Sequence, residues 1–504
     1  MKAFEARLMT MRFTPSLAGR YALGTVAARL AIDFREAIAK APASSFHWIG
    51  PMDPRTQAML SAPPLPLLAR LAAPNVVAFL VQAVVSMAEV WFVGRLGPEA
   101  LAAMALVFPL LMLNQMMSGG ALGGAVASSI ARALGAGDRA RAETLLWHAL
   151  TLAGAFALAM ALAFVLFGEL LLRTLGGEGT VLSQALGYGA ILFPACIVLW
   201  LVNTLSAVLR GTGNMQLPAR VMLLSAAVQV PLSGVLILGA FGVPAFGLAG
   251  AAVSVVSVAA VNSLFLLAWL LYRDQALRLR RDRFQLQRTA FQDIGRVALP
   301  ALLSPLFTVL TIVSLTALVG RQGVDALAGY GIGSRIEFLL VPLVFGIGAA
   351  LTAMVGTNIG AGQVARAEHI GWLGAGAAGV LTGIVGLLLA LFPESWVGLF
   401  TDHTPTLAAG VAYMTHVGPA FGFLGVGLAL YFASQGAGRV GWPVTATLLR
   451  FLVAVGGATV ALDQFDLGLN GIYLAAASGM VIYGSLTAAS LALGAWRPKG
   501  PRSV

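Results

Sequence analysis

Long apolar stretches, each close to the length that crosses a lipid bilayer, recur along almost the whole of this 504-residue chain. Residues 145–167 are typical, and a helix needs about 20 apolar residues to span the hydrocarbon core. A bilayer offers no water to unpaired backbone groups, so only helices or closed barrels cross it. Because these stretches lack the alternating pattern of barrel strands, they predict an α-helical membrane protein.

The composition argues against a soluble protein. Only 10% of the residues are charged and 59% are hydrophobic, whereas roughly a quarter of the residues of an ordinary soluble domain are charged. The formal net charge of +11 does not indicate nucleic-acid binding, because Lys and Arg gather in loops as they do in membrane proteins. The single cysteine, Cys196, lies in an apolar run, so we expect a packing residue and neither a disulfide nor a cysteine-rich metal site.

Twelve candidate spans divide into two sets of six, separated by a hydrophilic, arginine-rich break at 273–296. We therefore expect an all-α membrane protein with two six-helix lobes around a central cleft. The lobes cover 66–272 and 295–495, and a linker covers 273–294. The predicted spans are 67–93, 101–131, 142–167, 182–209, 217–240, 247–272, 295–319, 327–356, 369–392, 406–434, 443–463 and 470–494.

The distribution of basic residues predicts the orientation. If both termini are inside, most arginines fall in cytoplasmic loops, and the opposite loops hold scattered bases among more acids. Because basic loops are seldom translocated, we expect both termini and the linker on the cytoplasmic side of a bacterial inner membrane. The expected cytoplasmic bases, besides those of the linker and of the tail at 496–504, are Arg132, Arg139, Arg141, Arg210, Arg220, Arg366 and Arg439.

Residues 1–65 differ from the rest, being mixed in composition, moderately basic and closed by a proline-rich sequence at 62–66. They contain no apolar core with a cleavage site, so a signal peptide is a poor fit. We expect either a cytoplasmic tail or surface helix, or a translation start at Met52 or Met59. In each case the segment should be poorly ordered and dispensable for function.

The two sets of spans share a sequence repeat. Gly-Ala-Gly-Asp at 135–138 reappears as Gly-Ala-Gly-Gln at 360–363, an offset of 225, and Arg-Gly-Thr-Gly at 210–213 reappears at the same offset as Gln-Gly-Ala-Gly at 435–438. Pro74 matches Pro300, one residue further on. An even number of spans in each unit keeps both halves in the same orientation. We therefore expect an axis along the membrane normal and a cleft between the halves.

Several motifs, in this order and spacing, resemble the multidrug and toxic compound extrusion (MATE) family. They are Leu-Ala-Ala-Pro at 71–74, Glu-Val-Trp-Phe-Val-Gly-Arg-Leu-Gly at 89–97, and the segments 135–138, 209–214, 330–337 and 355–362. The resemblance covers residues 67–495. It implies a secondary active antiporter that exports organic cations or drugs by alternating access while protons or sodium ions enter, with no cofactor.

Ionisable residues inside a membrane are costly and mark functional sites. Glu89 lies well inside the first span, with Gln82 and Ser86 at helical spacings on a similar face, so we expect the three to line a wet cavity. The family usually has an aspartate at the position of Glu89, and the resemblance implies a carboxylate that binds a proton or cation. The alternative is a carboxylate that is solvated near the outer surface or paired with an arginine.

Family members often carry a second acid in the fifth span, with an asparagine four residues before it. This chain has Ser233 and Gln229 at the aligned positions, which weakens a relay of two acids. Asn203 in the fourth span either completes a polar cluster with Glu89 or forms a hydrogen bond between helices.

In the second half, Arg335 and Glu337 belong to the eighth span and lie two residues apart, so they point in different directions. We expect one to face the cleft and the other to contact the partner lobe, with Glu337 a candidate contact for substrate or coupling ion. The seventh span has Phe-Thr-Val at 307–309, where some relatives carry a glutamate. His416 in the tenth span is a candidate proton carrier, although a hydrogen bond along its own helix is the alternative.

Three rival classes are less well supported. A lipid-linked oligosaccharide flippase of the same superfamily needs a cationic cavity for a pyrophosphate, and the intramembrane bases are few, chiefly Arg335 and Arg450. An enzyme is disfavoured because the spans lack clustered metal ligands and nucleophile motifs, and a channel because of the repeat. We therefore expect a monomeric transporter for small cationic amphiphiles. Met112, Met116 and Met117, with Phe108, are candidates for a flexible apolar lining, and the favoured alternative for most of them is packing or lipid contact.

Overall fold

The computed structural model describes residues 53–274, 276–280 and 284–497, so the predictions for 1–52 and for the end of the tail lie outside it. Every regular element of this part of the chain is helical, which confirms the predicted fold class. A single helical turn, Glu394–Val397, precedes the tenth span. The remaining helices, numbered along the chain, are α1 (Pro54–Ser61), α2 (Pro64–Gly94), α3 (Pro98–Gly135), α4 (Arg139–Thr174), α5 (Gly179–Leu192), α6 (Cys196–Gly211), α7 (Gln216–Leu238), α8 (Leu248–Tyr272), α9 (Arg288–Gly320), α10 (Val324–Gly360), α11 (Val364–Leu391), α12 (Thr404–Ala437), α13 (Gly441–Asp463) and α14 (Gly468–Ala492).

Eleven of these helices are long and apolar enough to cross a membrane, and the bent pair of α5 and α6 makes a twelfth span. The bend of 51° falls at 193–195, around Pro194. A proline has no backbone N–H to donate, and its ring clashes with the carbonyl of the preceding turn. The predicted span 182–209 is therefore two helices joined at a bend.

The helix α3 loosens in its middle. Residues Met116–Leu122 form a π-helical stretch that contains Gly119 and Gly120, and regular α-helix resumes at Gly123. Such stretches inside α-helices frequently occur at functional sites. This one faces the second half, because a Cβ atom on Gly120 would lie 3.6 Å from the ring of Phe345.

Each half has its own apolar core, and the first span belongs to both halves. The beginning of α2, with Leu67, Leu68 and Ala72, shares a buried cluster with residues of α10, α11 and α12. The end of α2 packs on α7 in the first half. A displacement of α2 along its length therefore acts on both halves at once.

The linker also packs on the first half. Leu277 is buried, the indole of Trp147 donates to the carbonyl of Arg280 at 2.8 Å, and the backbone N–H of Gln287 donates to His148 Nε2 at 2.8 Å. The next helix, α9, begins at Arg288, before the predicted span at 295.

The helices α3 and α10 cross near their carboxyl ends with no room for side chains. A Cβ atom on Gly135 would overlap the carbonyl of Thr357, and a Cβ atom on Gly360 would overlap the carbonyl of Arg132. The two glycines are repeat partners, and so are Arg132 and Thr357. The crossing is therefore reciprocal about the axis between the halves. We call this region, where the halves meet around Gly135 and Gly360, the closed end.

A half-buried arginine holds the two halves together at the closed end. Arg132 Nη1 donates to the carbonyl of Gly436 at 3.2 Å, and Nη2 lies 3.6 Å from Asp293 Oδ1. Carbonyls at the end of a helix attract a cation because the helix dipole leaves partial negative charge there. Arg132 was expected in a cytoplasmic loop, but it lies on α3, within the contact between the halves.

The short helix α1 is docked on the closed end. Asp53 caps it by accepting from the backbone N–H of Arg55 at 2.8 Å. The Met59 side chain is 1% exposed, and its carbonyl accepts from Asn358 Nδ2 at 3.0 Å. Arg366 also donates to the carbonyl of Ala62. Apolar and polar contacts with α10 and α11 therefore hold residues 53–62, which lie within the segment expected to be poorly ordered.

The glycine crossing predicts the effect of a larger residue. Gly360→Leu should force the halves apart at the closed end, since overpacking costs about 1–3 kcal/mol. A reporter cysteine at Ala127, introduced into a Cys196→Ser background, should then react with a maleimide about tenfold faster. Gly187→Leu is the control, because a Cβ atom there meets nothing within 4 Å. Equal labelling rates in the two variants would contradict the assigned role of Gly360.

The docking of α1 predicts a change in local exchange. Met59→Asp places a carboxylate in an apolar contact and should release the helix, because burying an unpaired charge is costly. Hydrogen–deuterium exchange of residues 54–61 should rise, whereas Gln57→Asp on the exposed face of the same helix should leave exchange unchanged. Slow exchange in Met59→Asp would mean that the contact does not hold α1 in place.

Candidate functional site

Glu89 lies inside the first half and not against lipid. The residue is 8% exposed, and its Oε1 accepts from Gln229 Nε2 at 2.7 Å and from Ser233 Oγ at 3.2 Å. Both donors stand on α7, four residues apart, which puts them on one helix face. The two residues at the positions aligned with the family's asparagine and acid are therefore direct partners of Glu89.

A second serine extends the cluster to α8. Ser233 Oγ lies 2.6 Å from Ser254 Oγ, which in turn donates to the carbonyl of Ala251 at 2.9 Å. Gln229, Ser233 and Ser254 are all buried. Three helices, α2, α7 and α8, thus meet at one carboxylate whose hydrogen bonds come from neutral groups, and the cluster can change its hydrogen bonding when the carboxylate gains or loses a proton.

The other residues expected near Glu89 lie elsewhere. Gln82 is half-buried and Ser86 is exposed, while Glu89 turns into the contact with α7. Asn203 Nδ2 donates to Ser118 Oγ at 2.9 Å and to Gln115 Oε1 at 3.3 Å. Of the two roles considered for Asn203, the structure therefore shows the hydrogen bond between helices, beside the π-helical stretch of α3.

The second half holds its own half-buried acid. Glu337 accepts a hydrogen bond from the hydroxyl of Tyr413. The ring of Tyr413 packs edge-on against Tyr330 and Tyr473, with centroids 5.5 and 5.2 Å away. Tyr330, Tyr413 and Glu337 line a small cavity together with Arg450. The carboxylate therefore faces the interior of the second half.

Arg335 points away from Glu337, as their spacing predicts. It is exposed, and its guanidinium lies 5.6 Å from the centroid of the Phe400 ring, so its contact is with its own half and not with the partner lobe. His416 is half-buried, and its Nδ1 lies 2.7 Å from the carbonyl of Ala412, the helix-face hydrogen bond that was the alternative to a proton carrier. Met117 packs on the core of the first half.

The cleft between the halves narrows to a small cavity at its closed end. Phe79 of α2, Phe345 of α10 and Phe432 of α12 line it, together with Arg210 of α6. Arg210 was expected in a cytoplasmic loop, but α6 continues to Gly211 and leaves the arginine 8% exposed.

Two residues of these sites, Tyr413 and Arg210, were not predicted from the sequence. Tyr413 carries the hydrogen bond to Glu337, and its signal was its position three residues before His416, on the same helix. Arg210 belongs to a segment quoted for its resemblance, and its repeat partner is the buried Gln435. In both cases the sequence shows a residue type suited to the site, but its location there depends on how the helices pack.

Comparison with known proteins agrees with this architecture. A profile of the MatE family matches residues 74–235 and 300–460. The chain is 27% identical to the FAD transporter of Shewanella oneidensis, over 83% of this chain and 92% of that protein. It is 25% identical to the probable multidrug resistance protein NorM of Thermotoga maritima, over 86% and 93%. A crystal structure of MATE in complex with MaD3S superimposes with a TM-score of 0.81, at 25% identity, and covers 88% of this chain and 99% of that one.

The resemblance drawn from the motifs is confirmed, because the profile matches both halves and the solved structure shares the whole bundle. The chain belongs to the MatE family of multidrug and toxic compound extrusion transporters, and it is a multi-pass membrane protein.

Proposed function

We propose that this protein is a secondary active antiporter that exports drugs and other small organic compounds by alternating access, in exchange for protons or sodium ions. The observation that carries the proposal is Glu89, a carboxylate buried among neutral donors inside one half of a duplicated bundle. Buried acids in membrane spans are expensive and mark ion pathways. The names of the relatives, a multidrug resistance protein and an FAD transporter, support small organic compounds as the exported class.

The hydroxyls next to Glu89 suggest how ion binding alters the first half. A serine hydroxyl has one proton to donate. When Glu89 is charged, Ser233 donates to it, and when Glu89 is protonated, Ser233 is free to donate to Ser254 instead. Ion binding would thereby loosen the bond between α2 and α7 and strengthen the one between α7 and α8.

The helix α2 would carry this change to the other half. Pro74 lies inside α2, between the residues Leu67, Leu68 and Ala72 of the shared cluster and Glu89, and the packing of α2 on α10 continues past it at Val76. A proline inside a helix removes one backbone hydrogen bond and weakens the helix locally. The amide oxygen of the neighbouring Asn75 is buried and has no hydrogen-bond partner among the residues that the structure describes. We therefore expect α2 to bend near Pro74 when the ion at Glu89 changes.

The expected orientation indicates the side of the membrane toward which the cleft is closed. If the termini are cytoplasmic, the closed end carrying α1 and the Gly-Ala-Gly loops faces the cytoplasm. The conformation would then be the one that is shut toward the cytoplasm. Opening requires that α3 and α10 separate at Gly135 and Gly360 and that Arg132 leave the carbonyl of Gly436.

A lipid-linked oligosaccharide flippase is the alternative function. Its pyrophosphate requires several bases in one cavity. Arg335 is exposed beside Phe400, Arg450 lies in the separate cavity of the second half, and Arg210 lines the cleft. These bases do not gather, so the arrangement supports an exporter of smaller solutes.

The coupling role of Glu89 is tested with Glu89→Gln, which keeps the shape of the side chain and removes its titration. In proteoliposomes with imposed proton or sodium gradients, efflux of a cationic dye driven by the gradient should fall at least about tenfold, because loss of a coupling charge removes the linkage between ion and substrate. Glu89→Asp, which retains a titratable group, should keep part of the activity.

Glu169→Gln is the matched control, since Glu169 is an exposed carboxylate paired with Arg173 on the surface of α4. It should transport as the unaltered protein does. If Glu89→Gln preserved gradient-driven efflux and its pH dependence, the proposed coupling site would be wrong. The separate proton and sodium gradients identify the ion.

A further inference from the structure

We propose that the closed end of the cleft binds an anionic group, a carboxylate or phosphate, of a solute with an aromatic or apolar body, and that Arg210 is the residue that holds it. The proposal rests on the proposed function in that the cleft is the transport pathway. It differs from the organic cations expected from the family resemblance, because it assigns the opposite charge to one substrate group.

The first observation is that Arg210 is buried and unpaired. Its side chain is 8% exposed, and among residues 53–274, 276–280 and 284–497 its guanidinium has no hydrogen-bond acceptor and no carboxylate partner. A guanidinium carries five N–H donors and keeps its charge in proteins. Taking such a group out of water without a counter-charge is strongly unfavourable. A ligand that supplies the counter-charge removes that penalty.

A comparison with Arg132, which also lies at the closed end, shows what a structural arginine looks like here. Arg132 is satisfied by hydroxyls of Ser128 and Ser129 at 2.9 and 3.0 Å, by helix-end carbonyls and by Asp293. The same end of the bundle therefore can supply acceptors to a half-buried arginine. Arg210 contacts none of these acceptors, so its charge faces the cavity and does not stabilise the fold.

The cavity around Arg210 has the composition of a ligand site. Both halves and α2 contribute to its wall, which places it on the axis between the halves. Three phenylalanines and several glycines and alanines form most of the wall, and Thr352 adds a hydroxyl. The described acids Glu89 and Glu337 lie inside their own halves. One cationic group in an aromatic wall fits an amphiphile with one anionic end.

The repeat explains why Arg210 points into the cleft. Its partner at the same offset, Gln435, lies on the facing half and reaches across to donate to the carbonyl of Gly120 at 3.1 Å. The two positions are related by the axis between the halves, so both project toward it. In the second half, Gln435 forms a hydrogen bond that bridges the halves. In the first half, Arg210 carries a charge that this hydrogen bond does not neutralise.

The position also suits a transport pathway. Arg210 is one residue from the end of α6, at the closed end and next to the crossing that must open. When the halves separate there, the guanidinium lies on the wall of the opened cleft. A guanidinium binds carboxylate and phosphate through paired hydrogen bonds, which gives selectivity for charge and shape.

The test measures equilibrium binding of four probes with the same ring to the full-length protein in phosphatidylcholine nanodiscs: 2-naphthyl phosphate, 2-naphthoate, 2-naphthylmethanol and 2-naphthylmethylammonium. The unaltered protein should bind the two anions at least about tenfold more tightly than the alcohol, as expected of a charge-assisted pair. Arg210→Gln, which installs the residue of the repeat partner, should abolish that preference and leave binding of the alcohol within about twofold. Arg210→Lys should retain an intermediate preference.

Arg220→Gln is the control, because Arg220 is an exposed arginine on α7 outside the cavity. It should preserve the preference for anions. Equal affinity of the unaltered protein for the anions and the alcohol would overturn the proposal. So would a parallel loss of all four probes in Arg210→Gln, since that result indicates a purely structural arginine.

A second arm separates a solute from a lipid headgroup. Nanodiscs containing phosphatidylglycerol should leave probe binding unchanged if the anionic group belongs to a transported solute. Competition by phosphatidylglycerol that disappears in Arg210→Gln would assign the site to lipid and overturn the solute part. Because these measurements use no ion gradient, they are independent of Glu89, and failure here leaves the antiport test unaffected.

Discussion

The close crossing of α3 and α10 is the contact on which the arrangement of the two halves depends. Gly135 and Gly360 let two backbones touch at repeat-related points, and this contact brings Arg132 to the end of α12 and Arg210 to the axis. Without a hydrophobic driving force inside lipid, helices associate through such close packing of small residues. The two halves are held together by geometry and a few polar contacts, which allows them to separate again.

Three charged side chains inside the bundle have different surroundings. Arg132 is neutralised by Asp293 and helix-end carbonyls, Glu89 accepts bonds from neutral donors, and Arg210 has no partner in the described chain. A charge that is satisfied in one conformation stabilises that conformation, whereas a charge held by neutral donors can exchange an ion, and an unmatched charge can receive a ligand. These differences underlie the roles proposed above, which are gating for Arg132, coupling for Glu89 and ligand binding for Arg210.

Much of the fold was predictable because it follows from local rules. Hydropathy located the twelve spans, the repeat located the axis, and the cost of a buried acid identified Glu89. The bend at Pro194 was missed because the apolar run continues through the proline, and the burial of Arg210 was missed for a different reason. A hydropathy reading ends a span at its first charge, but a helix continues wherever its backbone hydrogen bonds continue. The hydrogen bond from Tyr413 to Glu337 depends on tertiary packing, which no sequence period encodes.

The repeat that pairs Arg210 with Gln435 has a consequence for how such a molecule can arise. In a symmetric dimer of identical subunits, every group on the axis appears twice, and two guanidinium groups would repel each other at close range. Fusion of the two copies into one chain lets the matching positions diverge independently. An arginine at one position and a glutamine at its repeat partner require that the two copies differ in sequence. The covalent joining of the halves therefore permits an asymmetric electric field in the cleft.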